Sequence, residues 1–347
     1  MYIIRKSFEL LYDYLKSVIF AVTKNDPEKA HEVFVMFCRA LYKAKLDKAF
    51  FDYPKNTEFK RFEFSNAAGF NKNAEIPPYV LYYLGFNRAV IGSVTGEPYG
   101  GNSRPRCQRY EATQSIVNRL GLPSEGAQKV AQRLLRYEAS PIPLTINFAA
   151  TPTKKWDQIT EDLLSTIQIM KNVKKVDRFE LNISCPNVSS SAEYEIEALD
   201  EILSSVCDKL EDKKFFLKIS PDVDKEYANR IVLSAQKYKI AGFVIANTTK
   251  RYVKKYIPQS LWAGGASGKA VYQYSTDTQR LFENIIEKNN FPQKIIACGG
   301  IDSVKKVKER LSSVALGIQI YTPFVFYGPK IIRSIKTEDA DRRMETG

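Results

Sequence analysis

Apolar and polar positions recur with two different periods along the chain, and the change falls near residue 61. In the first 24 residues Ile4, Phe8, Leu11, Leu15, Val18 and Val22 follow one another at three- and four-residue spacings, with Arg5, Lys6, Glu9, Asp13 and Lys16 between them. That is the pattern of an amphipathic helix. Its charges interrupt it well short of the ~20 apolar residues that a bilayer-spanning helix needs, and no small-residue cleavage site follows. Asn25-Asp26-Pro27-Glu28 then supplies an N-cap and a proline in the first turn, opening a second helix through His31, Phe34, Phe37 and Leu41. Residues 1–48 therefore read as a two-helix extension able to lie on a bilayer or on the rest of the protein.

Beyond residue 61 short apolar runs alternate with longer helical stretches. The runs fall at 62–69, 88–95, 143–149, 178–184, 213–220, 240–248, 294–300 and 314–322. Several of them, such as FVIAN, KIIAC and ALGIQIY, lack strict alternation, as parallel strands buried on both faces do. Helical patterns occupy 124–137, 157–174, 194–210 and 224–238 between them. Eight strand–helix units predict a (β/α)₈ barrel over 61–336 rather than a doubly wound sheet. The polar end TEDADRRMETG, 337–347, reads as a flexible tail.

Charge and composition remove several function classes. The 52 Lys and Arg against 39 Asp and Glu give +13, but the basic pairs are scattered through helix-like sequence, which suits a solvated face and not a nucleic-acid surface. The five cysteines are widely spaced, odd in number and without a CxxC pair, which predicts a reducing compartment and neither a disulfide frame nor a thiolate zinc site. With His31 as the single histidine, zinc sites built on imidazole and Ser-His-Asp triads lack their material, and no metal is expected.

In such a barrel the chemistry lies at the C-terminal ends of the strands. Those ends carry Lys72, Ser93, Thr95, Asn147, Asn182, Asn187, Lys218, Asn247, Thr248, Gly299, Gly300, Tyr321 and Thr322. A single asparagine there caps a strand or turn as readily as it binds a ligand. Four of them, with two lysines and few carboxylates, suit an anionic ring rich in amide edges, because each asparagine offers both a donor and an acceptor. The glycine loops Gly264-Gly265-Ala266-Ser267-Gly268 and Gly299-Gly300-Ile301-Asp302 sit where barrels commonly hold a phosphate. A phosphorylated cofactor is expected at that place.

The strings AAGFNKNAE (67–75), IGSVTGEP (91–98), GNSRPRCQRY (101–110), IVNRLG (116–121), NISCPN (182–187), LKISPD (217–222), IANTT (245–249), GGASGK (264–269), ACGGIDS (297–303) and IQIYTPFVFYGP (318–329) together resemble the dihydroorotate dehydrogenases. They span 67–329 in that family's order. The resemblance implies an FMN-containing (β/α)₈ barrel that oxidises dihydroorotate to orotate in pyrimidine synthesis. The DPEKAH helix and the NTT, GGxSG and IYTxFxFxGP strings are most similar to the membrane-associated, quinone-using class 2.

That likeness implies a role for each residue. Orotate would be held by Asn118, Asn182, Asn187, Asn247 and Thr248, with Lys72 reaching its carboxylate. FMN would be held by Ala68, Gly69, Lys72, Ser93, Asn147, Asn182, Lys218, Asn247, Ser267, Gly268, Gly299, Gly300, Tyr321 and Thr322. Lys218 would stabilise the reduced flavin, and Cys185 would take the C5 proton of the substrate. His31 and Arg109 match positions at the quinone tunnel, and peripheral attachment to a membrane follows, on its cytoplasmic side or at the inner mitochondrial membrane of a eukaryote.

Several positions depart from the class 2 pattern. Cys185 stands where serine is usual and is the habit of the soluble class 1. Asn71 replaces an acid, FAATPTKK replaces a Gly-Lys-Asn stretch after Asn147, and VSSSAEYE replaces the Gly-Leu-Arg lid after Asn187. The alternatives are a fumarate-using dihydroorotate dehydrogenase, another FMN barrel reductase of the dihydropyrimidine or dihydrouridine type, and a non-catalytic membrane-peripheral scaffold.

Overall fold

The computed structural model describes residues 2–53, 62–183, 196–251, 253–258, 260 and 263–336. Cys185, Asn187, the VSSSAEYE stretch and the tail 337–347 lie outside the described residues. The extension begins with α1 (Tyr2–Val22) and α2 (Pro27–Lys43). Asp26 caps α2 by accepting from the N–H groups of Glu28 and Lys29 at 2.9 and 3.3 Å, with Pro27 in the first turn, where its missing N–H costs nothing. A further short helix, Asp47–Phe51, ends the extension and was not evident from periodicity because it has only five residues.

Eleven strands follow among the described residues: β1 (Glu63–Asn66), β2 (Ala89–Val94), β3 (Cys107–Tyr110), β4 (Ser115–Asn118), β5 (Leu144–Phe148), β6 (Val176–Asn182), β7 (Lys214–Ile219), β8 (Gly242–Ile245), β9 (Gly265–Gly268), β10 (Lys294–Cys298) and β11 (Ala315–Ile320). Eight of them form one parallel sheet in the order β1-β11-β10-β8-β7-β6-β5-β2, and each falls within one of the eight apolar runs or overlaps it. A parallel bridge between Ser65 and Arg88 joins β1 to β2 and closes the barrel. All residues of β5 and β8 are buried, which is why these strands carry no polar–apolar alternation.

The two ends of the barrel differ in chemistry. At the N-terminal ends of the strands Arg178 makes two bonds to Glu63, at 2.5 and 2.7 Å, and Arg88 makes two to Asp177, at 2.5 and 3.0 Å. Arg178 is 1% exposed, so this charged plug is compensated within the protein. At the other end β3, β4 and β9 form a small antiparallel sheet that pairs Cys107 with Asn118 and Ser115 with Gly268. The sheet walls the mouth of the barrel on one side.

Candidate active site

A cleft of about 1380 Å³, counting the space open to solvent at its mouth, occupies the C-terminal ends of the strands. Sixteen of the expected site residues line it: His31, Ala68, Gly69, Lys72, Ser93, Asn118, Asn182, Lys218, Asn247, Thr248, Ser267, Gly268, Gly299, Gly300, Tyr321 and Thr322. Asn147 is fully buried just behind them, and Arg109 lies outside the cleft. Cys185 and Asn187, which follow β6 in sequence, lie outside the described residues.

The floor of the cleft is a chain of polar side chains. Asn247 Nδ2 donates to Asn182 Oδ1 at 3.1 Å, Asn182 Nδ2 to Ser93 Oγ at 3.2 Å, and Ser93 Oγ to Asn147 Oδ1 at 2.5 Å. Asn147 Nδ2 then donates to Glu180 Oε1 at 2.7 Å. Lys218 Nζ donates to Gln319 Oε1 at 3.3 Å and lies 3.6 Å from Glu180. Glu180 and Gln319 were not expected from the sequence. The signal was present in RFELN and GIQIY, where a polar residue inside a strand buried on both faces demands a partner.

One wall suits a phosphate. Gly268 and Gly300 both have positive φ, +99° and +70°, and a Cβ on Gly300 would come within 2.8 Å of the Gly268 carbonyl oxygen. The two glycine loops therefore touch through bare backbone, next to Ser267 Oγ and Thr322 Oγ1, which lie 2.9 Å apart. Apolar Ala67, Ile116, Val271 and Ile301 line the rest. A flat conjugated ring with a phosphate tail fits this donor set: bare backbone for the anion, apolar faces for the ring, and Lys218 with the amides at its polar edge.

Helix α2 supplies the opposite wall. Burial works against the Glu28 charge, yet Arg106 outweighs it with bonds at 2.8–3.1 Å, and with Lys72 and Arg104 nearby the carboxyl stays below its usual range. Burial pulls the Lys72 ammonium below its ordinary value, with Glu28 opposing the shift. Asn71, in the place of the usual acid, clamps its own loop by accepting from Ile76 N–H at 2.9 Å and donating to the Ile76 carbonyl at 2.8 Å.

Burial, aided by the Lys72 cation, lowers the His31 pKa to about 4. An unfolded chain takes up the His31 proton near pH ~6.5, so between those values it binds more protons than the folded chain and stability falls as pH falls. Between pH ~6.5 and ~4 this one group should cost wild type about 3 kcal/mol that a His31→Gln variant does not lose. Urea unfolding of both proteins at the two pH values measures the difference; parallel losses would show that His31 titrates normally.

A second, apolar space of about 940 Å³ lies between α1 and α2. Tyr12, Leu15, Ile19 and Phe20 of α1 face Ala30, His31, Val33, Phe34 and Phe37 of α2 across it, and His31 lines both this groove and the cleft. Arg109 sits behind it, its guanidinium 3.6 Å from the Phe20 ring centre. The apolar stripe of α1 divides: Leu15 turns inward, while Ile4, Leu11 and Val18 are exposed, as are Tyr14 and Val22. No helix among the described residues is long and apolar enough to cross a membrane.

Comparison with known proteins gives consistent likenesses. The family profile described as "Dihydroorotate dehydrogenase" matches residues 55–342. The dihydroorotate dehydrogenase (quinone) of Haloarcula marismortui is 32% identical over 283 residues, 81% of this chain and 78% of its own. That of Rhodopseudomonas palustris is 31% identical over 339 residues, 93% of this chain and 90% of its own. In fold, the chain superposes on a crystal structure of DHODH from Eimeria tenella in complex with ferulenol with a TM-score of 0.78, 23% identity and 93% coverage of both chains.

Proposed function

Because the chain belongs to the dihydroorotate dehydrogenase family, we propose that it oxidises dihydroorotate to orotate in pyrimidine synthesis, with FMN in the cleft and a quinone as the final acceptor. The observation that carries this reading is the meeting, in one cleft, of Lys72, Lys218, the amides of Asn118, Asn182 and Asn247, and two bare glycine loops. FMN supplies a two-electron acceptor when bound there.

The protein's own residues do the rest. Asn118, Asn182, Asn247 and Thr248 hold the imide edges of the pyrimidine, and half-buried Lys72 faces its carboxylate. Lys218, 3% exposed on β7, places a cation at the polar edge of the flavin site, where charge develops on reduction. Gly268, Gly300 and Thr322 would hold its phosphate. Cys185 takes the C5 proton as the C6 hydride leaves, so that a C5=C6 bond forms and two electrons are carried away. Burial pushes the described thiols away from ionisation, Cys107 to about 12 and Cys207 to about 11, with Cys38 and Cys298 also raised, so none of these four suits the task.

The groove between α1 and α2 then serves the quinone, with His31 at the junction of the two spaces. The exposed Ile4, Leu11, Val18 and Val22 of α1 favour peripheral attachment to a membrane surface. The direct test is anaerobic: purified protein should carry stoichiometric FMN that bleaches on adding dihydroorotate and recolours on adding a long-chain quinone. Protein that stays colourless and inactive after reconstitution with FMN sinks the proposal.

A further inference from the structure

The hydrogen bonds on the cleft floor run in one direction, toward Glu180. From Asn247 the donors pass through Asn182, Ser93 and Asn147 to Glu180 Oε1. From the other side Lys218 donates to Gln319 Oε1, and Gln319 Nε2 donates to Glu180 Oε2 at 2.9 Å. A carboxylate only accepts, so it turns the NH₂ groups of Asn147 and Gln319 toward itself. Their oxygens must then face Ser93 and Lys218. One side chain thereby orients both branches of the network.

Glu180 is also the counter-charge of Lys218. Its side chain is 0% exposed, that of Lys218 is 4% exposed, and 3.6 Å separates them. At such burial a charge is felt strongly by its neighbours, because little water lies between to screen it. The cation at the flavin edge is therefore partly neutralised from below.

We propose that Glu180 is a positioning residue that sets the reduction potential of the bound flavin by holding Lys218 and offsetting its charge. This rests on FMN occupying the cleft. With the carboxylate present, the reduced, anionic flavin gains less from Lys218, the potential is lower, and electrons leave more readily for the acceptor. Glu180 touches neither substrate nor acceptor and acts through Lys218.

Three proteins test this by the midpoint potential of bound FMN: wild type, Glu180→Gln and Glu180→Asp. Glu180→Gln keeps the size and loses the charge, so the reduction equilibrium should move toward reduced flavin by tenfold or more, about 30 mV for a two-electron couple. Glu180→Asp keeps the charge and should stay within about threefold, ~14 mV, of wild type. A Gln variant with an unchanged or lower potential overturns the proposal, and so does an Asp variant shifted as far as the Gln variant. Should Glu180→Gln fail to hold FMN, the thermal unfolding of full-length Lys218→Met, Glu180→Gln and the double variant decides instead. Each single change strands a buried charge and the double change strands none, so the double variant must be more stable than either single one. Additive losses overturn the pairing. Wild type that binds no FMN would fail the functional reading separately, and this second comparison would still decide whether Glu180 and Lys218 act as a pair.

Discussion

Replacing Cys185 by alanine is expected to slow the reduction of bound FMN by dihydroorotate by about 10²–10⁴-fold, the usual cost of losing a general base, while FMN and orotate still bind. The expectation rests on NISCPN, which begins at Asn182, the last residue of β6 and the one that this strand end supplies to the cleft. A thiol with an ordinary pKa of ~8.5 ionises far more easily than a serine hydroxyl, so Cys185, as the proposed base, would be the more easily deprotonated of the two residue types. Cys185→Ser should keep part of the rate, with its pH optimum moved upward. Stopped-flow bleaching of the bound flavin reads both variants. A near-normal rate in the alanine variant would remove Cys185 from the mechanism.

The barrel was legible in the sequence because its information is local. Eight runs of apolar residues mark eight strands, and a strand buried on both faces announces itself by composition alone. Asp26-Pro27 likewise fixed the start of α2 from four consecutive residues. The small sheet over the mouth was not legible. Its strands have four residues each, GASG has almost no side chains to pattern, and β4 pairs with β9 across some 150 positions of chain. The same limit hid half of the site. Strand-end asparagines and glycines could be named by position, but the bonds of Glu28 to Arg106 and of Glu180 to Gln319 span 78 and 139 positions and exist only once the barrel closes. Lys218 was legible as a cation at the strand ends; that it lies 3.6 Å from Glu180 was not.

A second large effect on turnover concerns the exit of electrons, where sequence signs conflict: Cys185 is the habit of soluble enzymes, while α1, α2 and the strand-end strings belong with quinone users. The base acts only while dihydroorotate is oxidised, so it does not decide where electrons leave. The groove does. Its walls are Leu15, Ile19 and Phe20 on one side and Val33, Phe34 and Phe37 on the other, and it meets the cleft at His31. Helix α1 is tied to the barrel by Glu9–Arg333 at 2.7 Å, by Lys16 Nζ donating to the Phe326 carbonyl at 2.7 Å, and by Phe20 on Arg109. Removing residues 1–24 takes away one wall and leaves Glu28 and His31 in place; a cut at residue 45 would strip both from the cleft and blur the two half-reactions. Losing about 100 Å² of apolar contact costs a long-chain quinone roughly 2.5 kcal/mol, close to two orders of magnitude in kcat/KM. The shortened protein should therefore lose quinone-dependent turnover and attachment to anionic vesicles, yet bleach with dihydroorotate in a single turnover at nearly the full-length rate. Filling the groove from α2 with Val33→Trp should give the same split between half-reactions while keeping vesicle binding. Full quinone turnover in the truncated protein, or a preference of the intact protein for fumarate, would show that electrons leave by another route.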